Sequence, residues 1–137
     1  MNMKYNLTRT GRAPLGFDGE KIAEVSTYGL RGDEQNRWYE IAIYKADDLY
    51  AAHVGYRTKW KGELDTYWLE VSVMKGVTAW LSHDIPPIPI GAGFPPRKEF
   101  EERQAALRND LISQYRYAVS KVLEDFPEVL GEFPKSF

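Results

Sequence analysis

The 137-residue sequence contains no cysteine. That excludes a disulfide framework, a thiolate nucleophile and any zinc site built on sulfur. Histidine is scarce as well, at two residues, His53 and His83, which leaves little for an imidazole-based metal centre. No window approaches the ~18 consecutive apolar residues of a membrane span. The opening MNMKYNLTRTGRAP lacks the apolar segment of a secretory signal. Neither sign of charge dominates: 18 Lys and Arg against 20 Asp and Glu give a formal net charge of -2, so the chain as a whole is not a polyanion binder. These absences lead us to expect a cytoplasmic protein without membrane contact. The length suits one domain over 1–137, large enough to need no covalent staple.

Aromatic residues, by contrast, are abundant, with 4 Trp and 9 Tyr. They fall in runs of alternating character. Residues 1–21 are polar and turn-rich, with Lys4, Arg9 and Arg12, and are expected to form an extended arm with at most a short edge strand. KIAEVSTYGL, RWYEIAIYK, LYAAHVGYRT and TYWLEVSVM then alternate with period two and are bounded by polar turns. They predict an antiparallel meander of four strands within 22–75. The alternation groups Tyr39, Ile41, Ile43, Val54, Tyr56, Leu69 and Val71 on one face. Trp38, Tyr44, His53 and Trp68 are grouped on the other.

After the sheet the period changes. Val77, Trp80 and Leu81 fit a short helix over 77–83. Pro86, Pro87, Pro89, Pro95 and Pro96 make 84–96 a proline-rich crossing, held extended and pinned by Ile88 and Phe94. Leu107, Leu111, Tyr115, Ala118 and Val122 recur at three- and four-residue steps, the stripe of a long amphipathic helix over 97–126. The apolar residues of the 127–137 tail suggest that it docks. The expected fold is α+β: a four-stranded antiparallel meander with a long C-terminal helix packed on one face.

Few residues point to catalysis. His83-Asp84 has the chemistry of a metal pair but lacks further ligands. GAGFPPRK precedes a helix, yet its prolines remove the backbone donors that a phosphate needs. No G-x-S-x-G elbow and no nucleotide-binding glycine pattern occurs. Glu40 and Glu70 sit on strands, where an ion pair between Glu40 and Arg57 or Lys45 is the ordinary outcome. We therefore assign no catalytic residue, no metal and no cofactor from sequence.

Binding features are stronger. RTKWKGE places Arg57, Lys59 and Lys61 around Trp60 at a hairpin tip. A helix can cover only one sheet face, which leaves Trp38, Tyr44 and Trp68 for the arm, the tail, a second subunit or another protein. The expected function is that of a small soluble regulatory protein, binding a protein partner or itself as a homodimer, through Trp38, Tyr44, Arg57, Lys59, Trp60, Lys61 and Trp68. The alternative is a nucleic-acid-binding module or nuclease-like enzyme. In that reading the same tip tracks phosphates with its cations and stacks Trp60 on bases.

Overall fold

The computed structural model describes residues 3–30, 32, 35–83 and 98–124. The first element is a hairpin. β1 (Met3–Arg9) and β2 (Arg12–Ser26) turn at Thr10-Gly11, where Gly11 takes a φ of 78° that suits glycine. Leu7 stands opposite Leu15 and Tyr5 opposite Phe17. β3 (Arg37–Ala46), β4 (Leu49–Thr58) and β5 (Thr66–Ser72) follow, and all five strands form one antiparallel sheet in the order β1-β2-β3-β4-β5.

β2 changes partner along its length. Residues 12–19 pair with β1 and residues 20–26 with β3, with a bulge between Lys21 and Ala23. At the change lies Gly19, where a Cβ would overlap the Lys45 carbonyl oxygen. Glycine lets the two backbones close up, and the bulge adds twist. The β1–β2 hairpin therefore folds back over the sheet, and the Thr10 amide donates to the Tyr67 carbonyl at 3.0 Å. The Tyr67 amide donates in return to Thr10 Oγ1 at 2.7 Å. The first strand thus reaches the last, and the sheet curls.

Each face of the sheet carries a core. On one side Tyr39, Ile41, Ile43, Ala52, Val54 and Tyr56 pack beneath α1 (Met74–His83) and α2 (Lys98–Glu124). From α2 come Leu111, Tyr115, Ala118, Val119, Val122 and Leu123; from α1, Val77 and Leu81. The helical stripe read from sequence is this buried face. The Tyr115 hydroxyl donates to the Leu81 carbonyl at 2.9 Å, which ties α2 to the last turn of α1 and satisfies a carbonyl left free there. On the other side the hairpin supplies Leu7 and Phe17, which close on Tyr44 and Ala51 with Leu69 and Val71 at the margin.

A buried polar network anchors the β2–β3 connection to α2. Thr27 Oγ1 accepts from the Tyr39 amide at 2.9 Å and donates to Gln114 Oε1 at 2.7 Å. Gln35 Nε2 reaches the same oxygen at 3.0 Å, and Gln114 Nε2 donates to Asp110 at 2.8 Å. With its donors and acceptors met, such a network fixes one arrangement rather than penalising burial.

The α+β class and the antiparallel sheet agree with the sequence reading. The element count does not: among the described residues there are five strands and two helices rather than four strands and one long helix, because the arm is itself a hairpin and α1 shares the covered face with α2. The facing of β5 is also reversed. Register places Tyr67, Leu69 and Val71 beside Gly55, His53 and Ala51 on the hairpin side, and sets Trp68 opposite Val54 on the helix side. Alternation separates two faces but does not say which is which when both are covered. The proline-rich crossing 84–96, Asp84 and the His83 side chain, the glycine turn before α2 and the tail 127–137 lie outside the described residues.

Candidate functional site

The β4–β5 connection, Lys59–Asp65, is held by acids from within. Gly62 takes a φ of 92° and the Glu63 amide donates back to the Trp60 carbonyl at 3.2 Å, which turns the loop inward. Glu63 then becomes a hub. Its carboxylate accepts from Arg37 Nε at 3.0 Å and from Arg37 Nη2, from the Tyr56 hydroxyl at 2.9 Å and from Thr58 Oγ1 at 3.0 Å. Burial pushes the Glu63 carboxyl up, but the bonds from Arg37 and Tyr56 outweigh it and hold the group below its usual range. Asp65 performs the second anchoring, accepting from the Thr58 amide at 2.9 Å and from Arg57 Nε at 3.0 Å. The neighbouring β2–β3 connection joins through the Lys59 amide, which donates to the Asn36 carbonyl at 2.8 Å.

This loop is inverted relative to a solvated turn. Its ion pair is largely hidden, with the Arg37 and Glu63 side chains 15% and 13% exposed. Its apolar residues are outside, Trp60 at 50% and Leu64 at 79% exposed. Tyr28 and Leu30 on the adjoining connection are exposed as well. The Arg37 guanidinium lies 5.1 Å from the centre of the Trp60 ring, so the buried cation also orients the exposed indole. Lys59 donates to the Tyr28 hydroxyl at 2.8 Å, and Tyr28 meets the Trp38 ring edge-on at 4.7 Å.

Of the residues expected to bind, Arg57, Lys59, Trp60 and Lys61 share this end of the sheet. Trp38 lies beside them, its ring 5.7 Å from both the Arg57 guanidinium and Lys59 Nζ. Tyr44 is not with them: it is buried under the hairpin against Tyr5 and Phe17. Trp68 is not with them either, since it packs on the helix-side core. The aromatic face is therefore divided, and only its Trp38 end joins the tip. Sequence reasoning missed Tyr28, Leu30 and Leu64, along with the Arg37–Glu63 pair. Single apolar residues stranded in the polar runs YGLRG and KGELD were the available signal.

Between the tip and the hairpin lies a groove of about 480 Å³ on the hairpin side of the sheet. Register lays out its floor as two rows: Ser26, Glu40, Gly55 and Tyr67 in one, Glu24, Ala42, His53 and Leu69 in the next. Gly55 and Ala42 keep the centre low. A Cβ on Gly55 would come within 2.9 Å of the Tyr67 ring, so glycine lets that ring lie down over β4, where it stacks on His53 with planes 9° apart. His53 Nε2 lies 2.8 Å from the Thr8 carbonyl oxygen, which can only accept. Nε2 therefore carries the hydrogen, and Nδ1 is the acceptor in the neutral ring. Burial pushes the imidazole below its usual range, partly offset by the Thr8 bond.

Among the described residues no three His, Asp or Glu side chains converge to hold a metal, and no helix is long and apolar enough to cross a membrane. Comparison with protein-family models, with curated proteins and with solved structures found no match.

Proposed function

We propose that this chain is a protein-binding module whose contact surface is the end of the sheet formed by Tyr28, Leu30, Trp38, Lys59, Trp60 and Leu64. The observation that carries the reading is the inversion of the Lys59–Asp65 loop. A connection selected only to reverse the chain exposes charge and hides apolar groups; this one turns Glu63 inward onto Arg37 of β3, where the pair is largely hidden, and exposes Trp60 and Leu64. A Trp held in place on an otherwise mixed surface is the kind of anchor that dominates protein interfaces. The cations favour a protein over a nucleic acid. Arg37 is matched by Glu63, and Arg57 by Glu40 and Asp65, so two of the basic groups near the tip have no charge left over for phosphates.

The test is affinity capture from native lysate with the intact chain and with a Trp60→Ala/Leu64→Ser variant, each with and without nuclease. Retention of a discrete protein by the wild type, insensitive to nuclease and lost in the variant, is the expected result. Equal retention by both forms would remove the tip from the reading. Loss on nuclease treatment would transfer it to nucleic acid.

A further inference from the structure

We propose that the sheet-side groove is a binding site for a compact organic cation, an amine or a guanidine. Its shape is built rather than incidental. Gly55 and Ala42 form the low floor, the Tyr67–His53 stack is one wall, and the hairpin-covered Tyr44 and the Arg57 end close the groove along the strands. Its volume falls in the range of small-ligand clefts.

The charges around it select the ligand. Glu40 rises from the floor opposite Gly55, and Glu24 stands one row along on β2, on the same face. Each uses one carboxylate oxygen inside the protein: Glu40 Oε1 accepts from Arg57 Nη1 at 2.7 Å, and Glu24 Oε2 from Lys21 at 2.9 Å. No hydrogen bond from a described residue reaches Glu40 Oε2 or Glu24 Oε1. Arg57 does not depend on Glu40 alone, because Asp65 holds its Nε. Glu40 can therefore turn toward a ligand without stranding a guanidinium. Of the charged groups that line the groove, two are carboxylates, Glu24 and Glu40, and one is a cation, Arg57, which Asp65 also engages from outside it. Lys59, the next cation, is held by Tyr28 and Trp38 and does not line the groove. Burial disfavours the charged form of His53, and its Nε2 contact with the Thr8 carbonyl leaves Nδ1 as the acceptor of the neutral ring. The Tyr67 ring contributes a π-face. Two free carboxylate oxygens, an imidazole acceptor and an aromatic ring are complementary to a cation bearing several N–H donors. An anion would meet only Arg57, already enclosed by two acids.

The same chemistry could arrive as a free polyamine-like molecule or as an arginine side chain of a peptide. The experiment titrates ¹⁵N-labelled protein with agmatine, with a Gly-Arg-Gly peptide and with acetate, following amide shifts. We expect agmatine or the peptide to shift amides of residues 24–26, 40–42, 53–57 and 67, with acetate inert. The tighter of the two identifies the source. Glu40→Gln should weaken binding about tenfold, the equivalent of one lost charge-assisted bond. Glu24→Gln should weaken it less. Variants are compared only where their spectra keep the wild-type dispersion, and Gly55→Ala, which displaces Tyr67, supplies a second disruption that leaves both acids in place. Absence of shifts up to about 10 mM, an affinity range still visible by this method, would overturn the proposal. So would shifts outside the groove, or equal binding by the Gln variants. None of these outcomes depends on the tip, so the protein-binding reading stands or falls separately.

Discussion

The two connections that flank β4 solve the same problem in opposite ways. β3 and β4 are joined by Asp47-Asp48 alone, closing from Ala46 to Leu49, with Asp47 in the left-handed region at a φ of 54°. Both acids are exposed, and short polar residues tolerate that conformation. β4 and β5 are joined by seven residues, Lys59–Asp65, whose acids point inward and whose Trp60 and Leu64 point outward. Reversing a chain needs only the first arrangement. The second uses one largely hidden ion pair, Arg37–Glu63, to hold apolar groups in water, which chain reversal alone does not explain.

A core substitution sets the scale for tests of this contrast. Leu111→Ala should destabilise by about 2–5 kcal/mol in denaturant titration, because a fully buried stripe residue leaves a cavity under the sheet. Glu63→Gln comes next. It leaves Arg37 largely buried without its charge partner and should cost roughly 1–3 kcal/mol, whereas Asp48→Asn in the short turn should stay within about 0.5 kcal/mol. The same pair predicts an acid signature. Glu63 is held below its unfolded value, so its contribution is present above about pH 4.3 and is lost as pH falls through the lower folded value. Wild-type and Glu63→Gln unfolding curves should converge there as the solution is acidified. If the two variants in the two connections behave alike at neutral pH, the contrast between the loops is only cosmetic.

A smaller effect of opposite sign is expected inside the core. Tyr56 and Tyr115 give their hydroxyls to Glu63 and the Leu81 carbonyl, but the buried Tyr39 hydroxyl has no partner among the described residues. Burial pushes all three phenols up. Tyr39→Phe should therefore leave stability unchanged or raise it by up to about 1 kcal/mol, measured by thermal melting. Smallest of all is the double change Trp60→Ala/Leu64→Ser. It should move stability by no more than about 0.5 kcal/mol, since exposed side chains contribute little to folding, while abolishing partner capture. A large loss of stability there would recast both residues as structural.

How much of this was visible in the sequence follows from what covers each element. Strands 37–45 and 49–58 and the helical stripe through Leu107, Leu111 and Tyr115 were legible because their large apolar residues recur with the right period on the faces that meet in the helix-side core. β5 alternates just as clearly, yet its facing was reversed, because Leu69 lies under a hairpin and Trp68 under the helices, and either side suits an apolar residue. The hairpin itself was legible only in part. Tyr5 and Leu7 alternate on one side of Gly11 and Leu15 and Phe17 on the other, but the intervening Lys4, Arg9 and Arg12 gave the segment the polarity of an arm. At the site, the basic tip could be read directly as a cluster. Its inversion could not, since Glu63 accepting from Arg37 joins residues 26 positions apart. The groove was beyond reach for the same reason: its rows run across strands, not along them.

The clasp between Thr10 and Tyr67 spans 57 positions. Contacts that distant pay the cost of closing a long loop before they return any stability, so they form late. The strands that Thr10 must reach are built from β3, β4 and β5, whose hairpins close over far shorter separations. During synthesis the Thr10 turn therefore waits for its tertiary partner until Tyr67 has been made and paired. Until then Leu7 and Phe17 have only Tyr44 and Ala51 to close on, and the margin that Leu69 and Val71 supply is missing.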